Sequence, residues 1–307
     1  MLKNKDLLGL KTLPTEEIEE ILDTAVEMKK ILKQNVKKTP HLQGKSVVTL
    51  FYENSTRTRM SFELAAKFMS ASTSSISAAT SSVKKGESLI DTGKTLDALC
   101  TDIIVLRHSA SGSAKLLAEN VRASVLNGGD GANEHPTQAL LDMFTMREKF
   151  GTLKGLNVCI AGDAKFSRVA RSDLYGLTKM GANVRFCAPR TLFPAQLERA
   201  GNAIFTDDIE QAAKNANVLM GLRIQLERQD AGLFPSVAEY SRFYGLNSRI
   251  LGLAEKDCLV MHPGPMNRGV EITTELADSA ASVVEEQVTN GVAVRMAVLF
   301  LLSRGVR

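Results

Sequence analysis

At 307 residues the chain is about twice the usual domain length, which points to two domains of roughly 150 residues, each able to bury its own core. Hydrophobic residues at 44% and charged residues at 23% exclude a disordered or membrane-embedded chain. The net charge of +4 is too small over this length to mark a nucleic-acid surface, although it suits a cleft for anionic metabolites.

The start, residues 1–6, lacks the apolar run of a signal peptide, and no stretch of about 18 uncharged apolar residues is present for a membrane span. A cytoplasmic location with no membrane partner is therefore expected. Cys100, Cys159, Cys187 and Cys258 lie far apart in apolar stretches, without CxxC or metal-ligand spacing, and read as reduced core residues.

Residues 15–32 open with a capping residue, Thr15, and two first-turn glutamates, then place Ile18, Ile21, Leu22, Ala25 and Met28 at helical spacing. Residues 46–52 read as a buried strand, followed by a polar turn and the helical pattern of Met60, Phe62 and residues 64–68. Short apolar strands are expected near 73–77, 103–106 and 124–126, separated by helical stretches such as 88–100. After the helix 136–150 and the turn 151–155, a second set of strands is expected near 157–161, 183–187, 218–221 and 258–261.

Such alternation argues an α/β fold of two doubly wound parallel-sheet domains, residues 1–147 and 148–307, with the active site in the crevice between them. The apolar run 292–302 is interrupted by Arg295 and reads as a core-facing helix. The last helix, about 285–307, follows the final strand, and whether it returns to brace the first domain is open in the sequence.

Ligands of open α/β sheets collect beyond the carboxyl ends of the strands. Predicted strands here lead to Ser55-Thr56-Arg57, Arg107-His108, His135, Arg168 and Arg223, with Gly264-Pro265 after a sixth. Hydroxyls, free backbone N–H groups and guanidinium forks at a helix start, as in Ser55-Thr56-Arg57-Thr58-Arg59, make a phosphate site. Simple capping by Ser55 or Thr56 is the bland alternative, but arginines in a first turn oppose the helix dipole, which favours anions there by about 0.3–1 kcal/mol.

Arg107 and His108, expected just after a strand, read equally well as a solvated pair. His135 precedes Pro136, a good first helical residue, and Gln138 lies on the first turn of the same helix. Lys84-Lys85-Gly86-Glu87 is a basic turn of a kind usually solvated. Gly162-Asp163-Ala164-Lys165-Phe166-Ser167-Arg168 is neither GxGxxG nor GxxxxGK[ST], and no GxSxG or HExxH is present, which disfavours dinucleotide, P-loop and the corresponding hydrolase chemistries.

Together, Phe51-Tyr52-Glu53-Asn54-Ser55-Thr56-Arg57-Thr58-Arg59, His135-Pro136-Thr137-Gln138 and Arg223-Ile224-Gln225 resemble the aspartate/ornithine carbamoyltransferase family, its aspartate-specific branch best, over about residues 8–302. The resemblance implies carbamoyl transfer from carbamoyl phosphate to the amine of L-aspartate, a step of pyrimidine synthesis, with no metal or organic cofactor. It places carbamoyl phosphate on Ser55, Thr56, Arg57, Thr58, Arg107, His135 and Gln138. Aspartate falls to Lys85, Arg168, Arg223 and Gln225, and Gly264 and Pro265 form a loop over the reacting atoms.

In the family the loop matching residues 81–85 enters a neighbouring subunit's site, so Ser81 and Lys85 would act from the neighbour, in a homotrimer at least. Asn54 stands where many relatives have proline, and Gly264 where some have leucine or alanine; neither removes a charged ligand. Ornithine enzymes of the family carry a cysteine in the loop matching His262-Pro263-Gly264-Pro265 and an Asp…Ser-Met-Gly element. This chain has neither.

Arg223 suits the extra carboxylate of aspartate and would repel ornithine's ammonium. Catalysis is then expected to rest on Thr56, Arg107 and His135 polarising the carbonyl and on Arg57 and Ser55 holding the phosphate. Neighbouring Arg57 and Arg107 would keep His135 neutral, a donor rather than a base. Two alternatives remain: a carbamoyltransferase for ornithine or acetylornithine, and a non-catalytic anion-binding assembly protein. Whether regulatory chains or a fused partner enzyme join the trimer is not written in the sequence.

Overall fold

The alternating pattern becomes two parallel sheets in the computed structural model, which describes residues 2–77, 86–194, 197, 203–224 and 236–305. The chain divides into one unit of Met1–Leu141 with Thr289–Arg307 and a second of Asp142–Val288.

In the first unit, β1 (Ser46–Phe51), β2 (Ser72–Ser77), β3 (Ile103–His108) and β4 (Ser124–Asp130) lie in the order β2-β1-β3-β4, every pair parallel. Its helices are α1 (Thr15–Leu32), α2 (Thr56–Phe68), α3 (Leu89–Ala98), α4 (Ser113–Ala118) and the start of α5 (Pro136–Phe150). Ile18, Ile21, Leu22, Ala25 and Met28 form the buried stripe of α1, each isoleucine or leucine contributing about 1.5–3 kcal/mol by leaving water.

Thr15 is the first helical residue of α1 and not its cap, correcting the sequence reading: Pro14 holds that position and no side chain caps the helix. A second correction concerns β2. Its residues are exposed or half-buried, not apolar core, because β2 is an edge strand paired only to β1 among the described strands.

Cys100 supplies a third. It is exposed, whereas Cys159, Cys187 and Cys258 are buried. The reason is its place at the end of α3, where it takes the left-handed conformation at φ 60, its N–H donating to Asp97 O and that of Thr101 to Leu96 O. Ser70 closes α2 with the same pair of bonds at φ 64. Such a turn faces solvent.

In the second unit, β5 (Asn157–Ala161), β6 (Asn183–Cys187), β7 (Ile204–Thr206), β8 (Val218–Gly221) and β9 (Leu259–Met261) lie in the order β7-β6-β5-β8-β9, again all parallel. The flanking helices are α6 (Arg168–Lys179), α7 (Ile209–Ala213), α8 (Val237–Tyr244), α9 (Ser248–Leu251), α10 (Thr274–Ala277) and the first residues of α11 (Val284–Arg304). Both strand orders are doubly wound ones.

Burial pushes the Cys159 and Cys258 thiols up to about 12 and raises that of Cys187 further, so all three behave as apolar core groups. Further along α11, in the first unit, Arg295 places its guanidinium 4.9 Å from the Phe62 ring and donates from Nη1 to Ser61 Oγ at 2.9 Å.

The second unit also buries an acidic pair, Asp142 and Asp173, both fully inaccessible. Asp142 Oδ1 accepts from Gln287 Nε2 at 2.7 Å, while neither carboxyl oxygen of Asp173 has a hydrogen-bond partner among the described residues. Burial, reinforced by the neighbouring Asp142, holds the Asp173 carboxyl well above the usual carboxylate range.

The stability consequence has a definite sign. Once pH exceeds the ordinary carboxylate pKa the unfolded chain loses this proton while the folded one retains it, so the group lowers stability as pH rises towards its folded value. Asp173→Asn, which has no such proton to lose, should therefore gain in Tm relative to wild type between about pH 5 and about pH 8. A Tm difference that is the same at both pH values counts against this assignment.

Candidate active site

In the first sheet the chain progresses outward to β2 on one side of β1 and to β4 on the far side of β3. The switch point, where a doubly wound sheet takes its ligands, therefore lies at the carboxyl ends of β1 and β3. Phe51 pairs with Arg107 across these strands, and the Tyr52 N–H donates to Arg107 O at 2.8 Å. Arg107 and His108 are the last residues of β3, which runs two residues beyond the expected end.

The Arg107 guanidinium is mostly buried, with Nη1 donating to Gly128 O at 3.1 Å and Nε 3.4 Å from Glu53 Oε2. Glu53 was not singled out in the sequence, because an ion pair between residues this far apart leaves no local pattern. The His108 ring lies 4.7 Å from that of Tyr52 and accepts at Nδ1 from the Ala110 N–H. Burial holds its pKa below the usual histidine value, against the opposing pull of Glu53 and Asp130.

His135 reaches the same end of the sheet by way of β4. The register of β3 against β4 shifts between Leu106 and His108, and Gly129 at φ 117 takes a conformation that favours glycine. The turn that follows is held from beneath by buried polar groups. Asn127 Nδ2 donates to Asp130 Oδ1 at 2.7 Å and to Leu8 O at 2.9 Å, Asp130 Oδ2 accepts from the Gly112 N–H at 2.7 Å, and Glu134 Oε2 accepts from the Leu10 N–H at 2.6 Å.

His135 is thereby fixed immediately before α5, its carbonyl accepting from the Gln138 and Ala139 N–H groups. His135, Thr137 and Gln138 are all buried.

Ser55 is the N-cap of α2, yet its side chain accepts no bond from the helix. Ser88, Ser167, Asp208, Ser236, Asn247 and Thr273, at other helix starts, each accept from an amide of their own helix. Ser55 therefore does not cap α2 through its side chain. Thr56 and Arg57 are exposed on the first turn, Thr58 and Arg59 half-buried, and that turn contains no acidic residue.

The second sheet switches direction between β5 and β8. Beyond β5, Gly162 at φ 140 brings its backbone against the β8 loop, where a Cβ would lie 2.4 Å from Leu222 O, so only glycine fits. Asp163 Oδ1 accepts from the Phe166 N–H at 3.0 Å, and Ser167 caps α6, whose first residue is the buried Arg168. Half-buried Arg223 follows β8 by two residues. Gly264 and Pro265, joined by a cis bond, follow β9.

Each sheet thus gathers cations at its own switch point: Arg107 with the 55–59 turn in one, Arg168 and Arg223 in the other. Ser81, Lys85 and Gln225 lie outside the described residues. Among the described residues no three His, Cys, Asp or Glu side chains gather as a metal site, and no helix is long and apolar enough to cross a membrane.

Residues 5–148 match the family described as "Aspartate/ornithine carbamoyltransferase, carbamoyl-P binding domain", and residues 154–302 its "Asp/Orn binding domain". The chain is 61% identical over 303 residues to the aspartate carbamoyltransferase catalytic subunit of Ruminiclostridium cellulolyticum, covering 99% of this chain and 96% of that one. The protein of the same name from Acetivibrio thermocellus is 62% identical over 304 residues, with 99% and 97% covered.

Among solved structures, the ornithine carbamoyltransferase of Pyrococcus furiosus superposes with a TM-score of 0.88 at 31% identity, over 98% of each chain. The aspartate transcarbamoylase of Trypanosoma cruzi, in complex with carbamoyl phosphate and aspartate, does so with a TM-score of 0.84 at 28% identity, over 97% of this chain and 95% of that one. With both halves of the family matched in order along nearly the whole chain, the protein belongs to the aspartate/ornithine carbamoyltransferase family.

Proposed function

We infer that the chain is a catalytic aspartate carbamoyltransferase. It transfers the carbamoyl group of carbamoyl phosphate to the amino group of L-aspartate, giving N-carbamoyl-L-aspartate and phosphate. The observation that carries this reading is the near full-length likeness to catalytic subunits of that name. Arg223 beyond β8, in a chain without the cysteine of the ornithine enzymes, supports aspartate over ornithine.

The aspartate amine attacks the carbamoyl carbon, forming the new C–N bond, and the bond from that carbon to the phosphate oxygen breaks. Negative charge develops first on the carbonyl oxygen and then on the departing phosphate. Thr56, Arg107 and His135 are assigned to the carbonyl oxygen, where each donor contributes about 2.7–4 kcal/mol of barrier lowering. Ser55, Arg57 and Thr58 grip the phosphate, and Gln138 completes that set.

The phosphate dianion, adjacent to the amine, accepts its proton. Arg168, Arg223 and Gln225 take the aspartate carboxylates, and Gly264 and Pro265 cover the reacting atoms. Holding two reactants in line contributes about 7–11 kcal/mol, the largest share of the rate. No metal or organic cofactor enters these steps.

A cytoplasmic homotrimer completes the proposal, with Ser81 and Lys85 of the partner subunit added to each site; its support is the family resemblance of the 81–85 loop. The test is a carbamoyl-phosphate assay on the purified protein with aspartate, ornithine and acetylornithine in parallel, alongside its mass in solution. Turnover with aspartate alone, from a particle of three chains, is expected. Carbamoylation of ornithine in preference to aspartate overturns the assignment.

A further inference from the structure

We infer that His262 and Glu271 form a buried clasp that sets the position of the Gly264-Pro265 turn, with His262 as a positioning residue and not a group that touches substrate. The inference rests on the functional reading above, which puts that turn over the reacting atoms.

His262 directly follows β9, and both its side chain and that of Glu271 are fully buried. Nδ1 of the ring accepts from the Gly264 N–H at 2.8 Å, so the ring proton sits on Nε2, which donates to Glu271 Oε1 at 3.2 Å. The same carboxylate oxygen accepts from the Asn267 N–H at 2.6 Å. The clasp therefore holds the amides of residues 264 and 267, which bracket Pro265 and Met266. Pro265 has no N–H of its own.

The clasp is itself anchored. The His262 N–H donates to Gln287 Oε1 at 2.9 Å, and Gln287 Nε2 donates in turn to Asp142. On the other side, the Leu246 N–H donates to Glu271 O at 2.9 Å. The imidazole packs over the end of β8, where a Cβ on Gly221 would lie 3.2 Å from His262 Cδ2, two residues before Arg223.

Burying such a pair is poor value as stabilisation, since apolar residues of similar volume usually hold a core as well or better. What apolar residues cannot supply is direction. Two side-chain acceptors aimed at two backbone N–H groups fix a turn that has no regular secondary structure, and a displacement of about 1 Å in a reacting group can cost 10²-fold in rate.

The experiment compares Glu271→Ala, Glu271→Gln, His262→Asn and His262→Gln in steady-state kinetics, thermal unfolding, and amide exchange of the 262–271 peptide by mass spectrometry. In Glu271→Ala and His262→Gln, kcat is expected to fall about 10–100-fold with KM for carbamoyl phosphate little changed, and exchange in the peptide to quicken. Glu271→Gln keeps an acceptor for both donors and should recover most of the lost rate and protection. His262→Asn, whose side-chain oxygen can stand in for Nδ1, should outperform His262→Gln.

Glu271→Ala that folds with wild-type kcat and exchange overturns the clasp. If that variant does not fold, equal kcat and exchange in His262→Asn and His262→Gln overturn it instead. A wild-type protein unable to carbamoylate aspartate removes the functional reading, and the positioning role with it, whatever the exchange data show; an active wild type with silent variants removes the clasp alone.

Discussion

Arg57→Ala is expected to lower kcat/KM for carbamoyl phosphate by about 10³-fold or more and to leave the protein folded. Loss of a single well-aimed donor to developing charge costs about 10²–10³-fold, and an arginine facing the departing phosphate, which supplies a full charge as well as hydrogen bonds, belongs at the upper end of that range or beyond it. Carbamoyl phosphate is held by its phosphate from binding onward and gains further negative charge there as the C–O bond breaks, so Arg57 should act in the ground state and more strongly in the transition state. Both KM and kcat should therefore suffer.

Stability should change far less. Arg57 is exposed on the first turn of α2, a turn without acidic residues, where a cation opposes the positive end of the helix dipole by about 0.3–1 kcal/mol. A variant that loses activity while keeping its circular dichroism and Tm fits an anion-binding residue; one that unfolds shows instead that Arg57 is structural. Steady-state kinetics and thermal unfolding on one preparation separate the two outcomes.

Much of the architecture was legible because each buried strand of a parallel sheet is a short apolar run. The strand 157–161 and the helix 136–150 coincide with β5 and α5 to the residue, since Pro136 fixes the start of the helix and Gly151 its end. Legibility failed where tertiary context sets the pattern. β7, three residues with an exposed Ile204, carries no periodicity, and β2 lies at a sheet edge where no apolar alternation is required.

The candidate site divides in the same way. The 55–59 turn announces itself by contiguous residues, and Arg168 and Arg223 by following strands. Several supports of the site are non-local: Glu53 against Arg107, Leu10 N–H on Glu134, and Glu271 on His262 join residues that share no local spacing rule. Sequence spacing reports which groups a segment can offer; only the register of the sheet decides which partner orients them.

His135→Ala tests the least obvious of the assigned roles. Its turnover should fall about 10²–10³-fold, the loss expected for one donor to the carbonyl oxygen. The start of α5 should survive, because it is the His135 carbonyl that accepts from Gln138 and Ala139, and because Asn127, Asp130 and Glu134 hold the preceding turn.

Rate alone cannot separate a donor from a base, since a general base contributes about 10²–10⁴-fold, an overlapping range. The shape of the pH profile can. If the phosphate dianion takes the proton of the aspartate amine, the limbs of the profile belong to the substrates and persist in the variant, at a lower plateau. If His135 takes that proton, the variant loses the limb that the histidine imposed. A profile for His135→Ala parallel to wild type across the acid range therefore assigns the histidine to the carbonyl oxygen, and disappearance of the acid limb, which a base imposes because it must be unprotonated to act, assigns it to the amine.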